Sequence, residues 1–166
     1  MHDTTHTARL VYAASGHACA LARISAHTAT GLLAITGALE ISHLPAVQRS
    51  VQRERRRADL YRGLARDLQC VKAPGADTSL TGSRAASPVP PLDLLEARAT
   101  SGHSGWLALI ALRQWNLHHC AKHRDRLDEL TDALVPSLQA RADLHAQTAA
   151  SRLLECRAAS RLSPDR

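Results

Sequence analysis

Three histidines and one cysteine lie within six consecutive positions of the sequence, at His118, His119, Cys120 and His123. In a helix, where successive residues turn by about 100°, His119, Cys120 and His123 share one face and His118 points elsewhere. Imidazole and thiolate are preferred zinc ligands, but three donors on one helix do not complete a closed tetrahedral shell. A zinc site here therefore requires a fourth ligand from another segment.

The predicted fourth ligand is His145. If the chain reverses near position 135, antiparallel pairing places His145 level with position 125, within about two residues, or ~3 Å, of His123. The resulting metal set consists of His119, Cys120, His123 and His145. Two other interpretations stay open, namely a packed helix edge in which Cys120 is a small apolar residue and a pH-sensitive element. We favour the packed edge, because the ExxH pattern of di-metal bundles does not recur in the sequence and the HExxH motif of metalloproteases is missing.

Arginines dominate residues 48–66, with seven of them against Glu54 and Asp59. Four are predicted to lie along one exposed side of a helix, with a spacing that suits a phosphate backbone: Arg49, Arg53, Arg56 and Arg57. No residue there is of a type and placement to read bases, and the aromatic side chains on which single-stranded nucleic acids stack are scarce. Polyanion or nucleic-acid binding is one interpretation, and a solvated helix face is the other.

Catalytic motifs are missing from the sequence. It contains no GxSxG, no phosphate-binding loop and no GxGxxG. A nucleophile built from Cys120 and His123 on a single helix has no evident orienting partner or oxyanion hole. We therefore expect a non-catalytic protein with no catalytic residue and no cofactor other than the zinc considered above.

The composition fits one helical domain spanning residues 1–166. Apolar residues make up 45% of the chain but aromatic residues only 2%, so the core must be built mostly from Leu, Ala, Ile and Val. Such residues suit closely packed helices. All but two of the 21 basic residues are Arg, a bias typical of GC-rich genomes, so the basic balance by itself is weak support for a polyanion partner.

Four widely spaced cysteines predict free thiols and a reducing compartment. The opening residues MHDTTHTARL lack the cationic start and apolar run of a secretory signal. Uninterrupted apolar stretches are shorter than the ~20 residues that cross a bilayer. We expect a cytoplasmic protein without a membrane partner.

Apolar residues recur at helical spacing in four long segments. The predicted fold is an all-α antiparallel helical bundle of about four long helices, arranged as two hairpins, plus one short helix. The predicted long helices cover residues 5–41, 45–72, 106–134 and 136–161. Residues 73–91, rich in Pro, Gly and Ser, are predicted to form a loop or linker between the hairpins, followed by the short helix over 92–99 and an N-cap at Ser104.

The two tryptophans are nearly the only large side chains in the chain. Trp106 falls on the predicted core stripe of its helix, whereas Trp115 points off that stripe and is interpreted as packing under the linker or anchoring a partner helix. Long amphipathic helices without site chemistry favour a role in association, with a second copy or with another protein. Polyanion binding and metal or pH response are the alternatives.

Overall fold

The computed structural model describes residues 3–71 and 104–162. They form four long helices and contain no β-strand. The helices are α1 (Asp3–Ile35), α2 (Leu44–Cys70), α3 (Ser104–Gln139) and α4 (Leu144–Arg161). Their antiparallel, bundle-like packing confirms the predicted all-α fold.

The first hairpin turns earlier than predicted. α1 ends at Ile35, and two short 3₁₀ turns follow at Thr36–Ala38 and Ile41–His43. Pro45 lies in the first turn of α2, as predicted, where its missing N–H costs no helical hydrogen bond. Leu44 before it is nevertheless helical, with φ −56° and ψ −43°, against the usual effect of proline on its predecessor.

The second hairpin turns later than predicted, and the expected break at Pro136 is wrong. Pro136 lies inside α3, which continues to Gln139. Proline removes one backbone hydrogen bond from the helix. The helix continues because Leu134 and Leu138, on either side of the proline, are both fully buried and would lose that burial if the chain turned at Pro136.

A side-chain cap fixes the start of α4. The carboxylate of Asp143 accepts a hydrogen bond from the backbone N–H of His145 at 3.0 Å, which is the role that makes Asp a favoured N-cap. The side-chain amide of Gln147 donates to the carbonyl of Arg141 at 2.9 Å. The chain therefore reverses over residues 140–143.

The chain packs as two compact units. Unit 1 comprises residues 1–20, 60–86 and 123–166, and unit 2 comprises residues 21–59 and 87–122. In the described part of the chain, unit 1 holds segments of all four helices, including the whole of α4. Unit 2 holds segments of α1, α2 and α3.

Unit 2 is built around an apolar cluster that its three helices share. The cluster consists of Ala29, Leu32, Ile35, Val47, Val51, Ala108, Leu109 and Leu112. Gly31 of α1 lies against Leu112 of α3, and a Cβ at Gly31 would come within 2.9 Å of that side chain. Asn116 of α3, also buried, donates a hydrogen bond to the hydroxyl of Thr28 at 2.6 Å. Position 31 of α1 contacts position 112 of α3, and position 28 contacts position 116. Because the residue numbers fall along α1 as they rise along α3, these two helices are antiparallel.

Unit 1 has several polar contacts between its helices. The hydroxyls of Tyr61 on α2 and Ser160 on α4 are 3.1 Å apart. Ser15 of α1 donates to a carbonyl of α2 at 3.4 Å. Arg157 of α4 contacts the carboxylate of Asp132 on α3 at 2.8 Å. Side-chain hydrogen bonds thus help to fix the register of this unit.

The predicted core face of α2 agrees with the observed burial, whereas the two tryptophans differ from their predicted positions. Six residues of α2 whose helical spacing in the sequence predicts one shared face are all buried: Val47, Val51, Ala58, Tyr61, Ala65 and Leu68. Trp106, expected in the core, is 52% exposed. Trp115, expected off the core stripe, packs against the apolar cluster of unit 2. Trp115 therefore packs against the core, where Trp106 was predicted to lie, and Trp106 is exposed.

One segment of the described chain, Thr5–Ala38, is long and apolar enough to cross a membrane by length and composition. The sequence interpretation counted only uninterrupted apolar runs and did not single it out. Of its most apolar window, 56% is buried inside the protein. A core helix of a soluble protein has the same properties, so this feature does not assign a location.

Some predictions concern parts of the chain outside the described residues. These are the loop over 73–91, the short helix over 92–99 and the side-chain cap of Ser104. They remain predictions, as does the single domain over residues 1–166.

Candidate functional site

In unit 2, the histidine cluster lies partly on the surface of α3. His118 is exposed, His119 is half-buried and Cys120 is buried. The ring of His119 lies 4.9 Å from the ring of Trp115 and 5.1 Å from that of His118, measured between centroids. Burial, and secondly the charge of His118, lowers the pKa of His119. The neutral imidazole is therefore favoured at this position.

His123 has a partner that the sequence interpretation did not identify. In unit 1, its Nδ1 lies 2.9 Å from the Nδ1 of His17 on α1. Both side chains are half-buried. Since one of two facing imidazole nitrogens must donate and the other accept, both rings cannot be protonated at these atoms without losing the hydrogen bond.

His145, the predicted fourth metal ligand, does not approach His123. It is exposed in the first turn of α4. Arg157 fixes the pairing of α3 with α4 through its contact with Asp132. From that contact, His145 lies twelve residues away along α4 and His123 nine residues away along α3, in opposite directions, which separates them by roughly 30 Å along the helix axes. The sequence argument placed the chain reversal near position 135, whereas α3 continues to Gln139 and α4 begins at Leu144.

The predicted zinc set is not assembled in the described structure. In residues 3–71 and 104–162, no group of three or more His, Cys, Asp or Glu side chains could hold a metal ion. The predicted set was His119, Cys120, His123 and His145.

Cys156 has the environment of an inert thiol, not of an activated nucleophile. None of the four described cysteines forms a disulfide, and Cys120 and Cys156 are buried. Burial and the neighbouring Glu155 raise the pKa of Cys156 to about 12, although Arg152 opposes them. Because the thiolate is the reactive form, a raised pKa makes this thiol inert.

The arginine face of α2 is less continuous than predicted. Arg49 and Arg56 are exposed, but Arg53 is half-buried and its guanidinium lies 3.4 Å from the hydroxyl of Ser50. Arg57 is paired with the buried carboxylate of Glu54 at 2.7 Å, and only 13% of its side chain is exposed. Arg57, one of the four predicted binding residues, therefore does not contribute to the accessible positive charge of unit 2.

An apolar stripe on α3 was missed by sequence reasoning. Its members, all exposed, follow a spacing of three and four residues, and we call this set the α3 stripe: Leu107, Ile110, Gln114, Leu117 and Ala121. The exposed fractions of Leu107, Ile110 and Leu117 are 58%, 38% and 49%. The segment WLALIAL is apolar on every side of a helix, and a core needs only one of those sides. The sequence therefore indicated that some apolar residues of this segment would lie outside the core.

A shallow hollow of unit 2 lies next to the start of α3. It has a volume of about 290 Å³ and is lined by Ala38, Leu39, Glu40, His43 and Trp106. This volume is slightly below the range typical of small-molecule sites. These five lining residues include no nucleophile paired with a base.

Comparisons supply no further assignment. Neither a protein-family model nor a curated protein nor a solved structure matches this chain.

Proposed function

We propose that this protein is a non-catalytic helical protein whose role is association, and that it pairs with a second copy of itself through the α3 stripe. The observation that carries the proposal is the exposure of Leu107, Ile110 and Leu117 on one side of α3. Large apolar side chains aligned at heptad spacing are the pattern by which two helices pack against each other.

The stripe is self-complementary when two copies of α3 run antiparallel about Gln114. A two-fold axis at Gln114 places Leu107 level with Ala121 of the second copy, and Ile110 within one residue of the level of Leu117. Symmetric dimers require this property, because the same surface must serve both partners. A polar residue at the centre of such a seam also helps to fix its register.

One contact next to the stripe favours this pairing. In the antiparallel register, the exposed ring of Trp106 meets the exposed ammonium of Lys122 from the second copy. A cation over an indole face is attracted by about 0.5–1 kcal/mol at exposed sites.

The size of the stripe predicts a weak dimer. Fourteen helical steps from Leu107 to Ala121 span only ~21 Å. A seam of that length buries less than the ~1,200 Å² typical of stable interfaces. Association is therefore expected to be transient and to depend on protein concentration.

Sedimentation velocity over a range of concentrations tests the proposal. The wild type should show a sedimentation coefficient that rises with concentration, and Ile110→Lys should abolish the rise. Leu154→Lys is the matched control, because Leu154 is 41% exposed on α4 but outside the stripe. A wild-type protein that is monomeric at every concentration would contradict self-association.

Polyanion binding through α2 is a second candidate function, supported by the exposure of Arg49, Arg55 and Arg56. Binding driven by phosphate contacts weakens steeply with salt and shows little sequence preference. Changing Arg49 and Arg56 to Gln should reduce the salt dependence, whereas Arg57→Gln should act mainly on stability. No binding to nucleic acid at low salt would eliminate this candidate.

A further inference from the structure

The pair formed by His17 and His123 is the most specific arrangement of metal-ligating side chains in the described part of unit 1. The Nδ1 atoms are 2.9 Å apart, the ring centroids 5.2 Å, and the ring planes are inclined by 53°. The two residues come from α1 and α3, so the fold and not local sequence brings them together. Both residues are half-buried.

The separation of the two nitrogens suits one class of metal geometry. A metal ion bound at about 2.0–2.1 Å from both Nδ1 atoms would see them at an angle of about 90°. That is the angle between neighbouring ligands in square-planar and octahedral sites, which are typical of Cu²⁺ and Ni²⁺. Tetrahedral zinc would require the nitrogens to move apart to about 3.3 Å.

We infer that His17 and His123 bind one divalent transition-metal ion, Cu²⁺ or Ni²⁺, through their Nδ1 atoms. Water molecules fill the remaining coordination positions, because the described residues offer no group of three protein donors. The ring whose Nδ1 carries the shared proton takes its other neutral tautomer, with the proton on Nε2. Small rotations of the two rings then direct both lone pairs at the ion.

The inferred site differs from the predicted zinc set in its ligands and in its metal. It retains His123 but joins it to His17 of α1. The contact lies within unit 1, so the site does not depend on dimer formation through the α3 stripe of unit 2.

Calorimetric titration of the full chain with Ni²⁺ tests the site. His17→Gln and His123→Gln should each weaken this binding by about tenfold or more. The loss in the double variant should be smaller than the sum of the two single losses, because both ligands hold the same ion. His118→Gln and His145→Gln are matched controls on exposed histidines and should leave this site unchanged.

A second measurement requires no variant. Substoichiometric Cu²⁺ should broaden the imidazole proton resonances of His17 and His123 in the wild type before those of other histidines. The inference is overturned if the resonances of His118 or His145 broaden first, or if wild-type binding equals that of the double variant.

Discussion

The two halves of α3 differ in what surrounds them. In unit 1, α4 packs beside α3, and Arg157 contacts Asp128 and Asp132 on its surface. In the described part of unit 2, the helical positions that continue the same face carry Leu107, Ile110 and Leu117, which are exposed. This face of α3 is therefore polar in unit 1, where α4 contributes a charged partner. It is apolar in unit 2, where the described residues include no fourth helix.

The largest effect should come from the apolar cluster of unit 2. Leu112→Ala should lower the free energy of unfolding by about 2–5 kcal/mol, because Leu112 is 1% exposed and its removal leaves a cavity. Leu117→Ala, the same change on the exposed face of the same helix, should cost less than about 0.5 kcal/mol at dilute concentration. Chemical denaturation measures both. Similar losses would mean that the buried and exposed faces of α3 are wrongly assigned.

The buried polar contact of unit 2 should rank second. Asn116→Ala removes the hydrogen bond to Thr28 and should cost about 1–3 kcal/mol. The Thr28 hydroxyl keeps its own acceptor, the carbonyl of Ile24 at 2.8 Å. A double-mutant cycle with Thr28→Val should show coupling between the two side chains, whereas Gln114→Ala should not couple to Thr28. Additive losses from Asn116 and Thr28 would argue against the contact.

In unit 1, the ion pairs between helices should have a smaller effect. Arg157→Ala should destabilise the protein by about 1 kcal/mol, since its partners are partly exposed and solvent screens the pairing. Its guanidinium also donates to the Asp128 carbonyl at 2.8 Å. Arg126→Ala is the control, because Arg126 pairs with Glu129 at the open surface. An equal effect of both changes in thermal unfolding would show that Arg157 does not join α3 to α4.

The smallest effect concerns pH. Because the pKa of His119 is lowered in the folded protein, the neutral ring stabilises the fold above the unfolded pKa. That contribution is lost as pH falls through the folded pKa. The wild type should therefore lose more stability between pH 7 and pH 5 than His119→Gln does, with His145→Gln as control. Identical pH profiles for the wild type and His119→Gln would show that the ring of His119 makes no such contribution.

Much of the fold follows from periodicity. The α2 face from Val47 to Leu68 was predictable because apolar residues there occupy one side of the helix only. The position of the second turn was not, since Pro136 and the Asp143 cap are competing signals and burial of Leu134 and Leu138 decides between them. That error placed His145 beside His123.

The candidate sites were harder to predict. The contact of His17 with His123 joins residues more than one hundred positions apart, and it depends on the register of α1 against α3. The burial of Glu54 and its pairing with Arg57 likewise depend on helix packing, which the sequence pattern does not show. The α3 stripe had a sequence signal, but a helix apolar on all sides does not say which face the core will use.

A charge-swap experiment is the sharpest test of self-association through the α3 stripe. The antiparallel register places position 110 of one copy within one residue of the level of position 117 of the other. Ile110→Lys alone should prevent association, and the combination of Ile110→Lys with Leu117→Glu should restore it, because each lysine then faces a glutamate. Ile110→Lys with Leu107→Glu carries the same charges in the wrong register and should stay monomeric. Sedimentation velocity that shows no recovery in the first combination, or equal recovery in both, would contradict pairing through the α3 stripe.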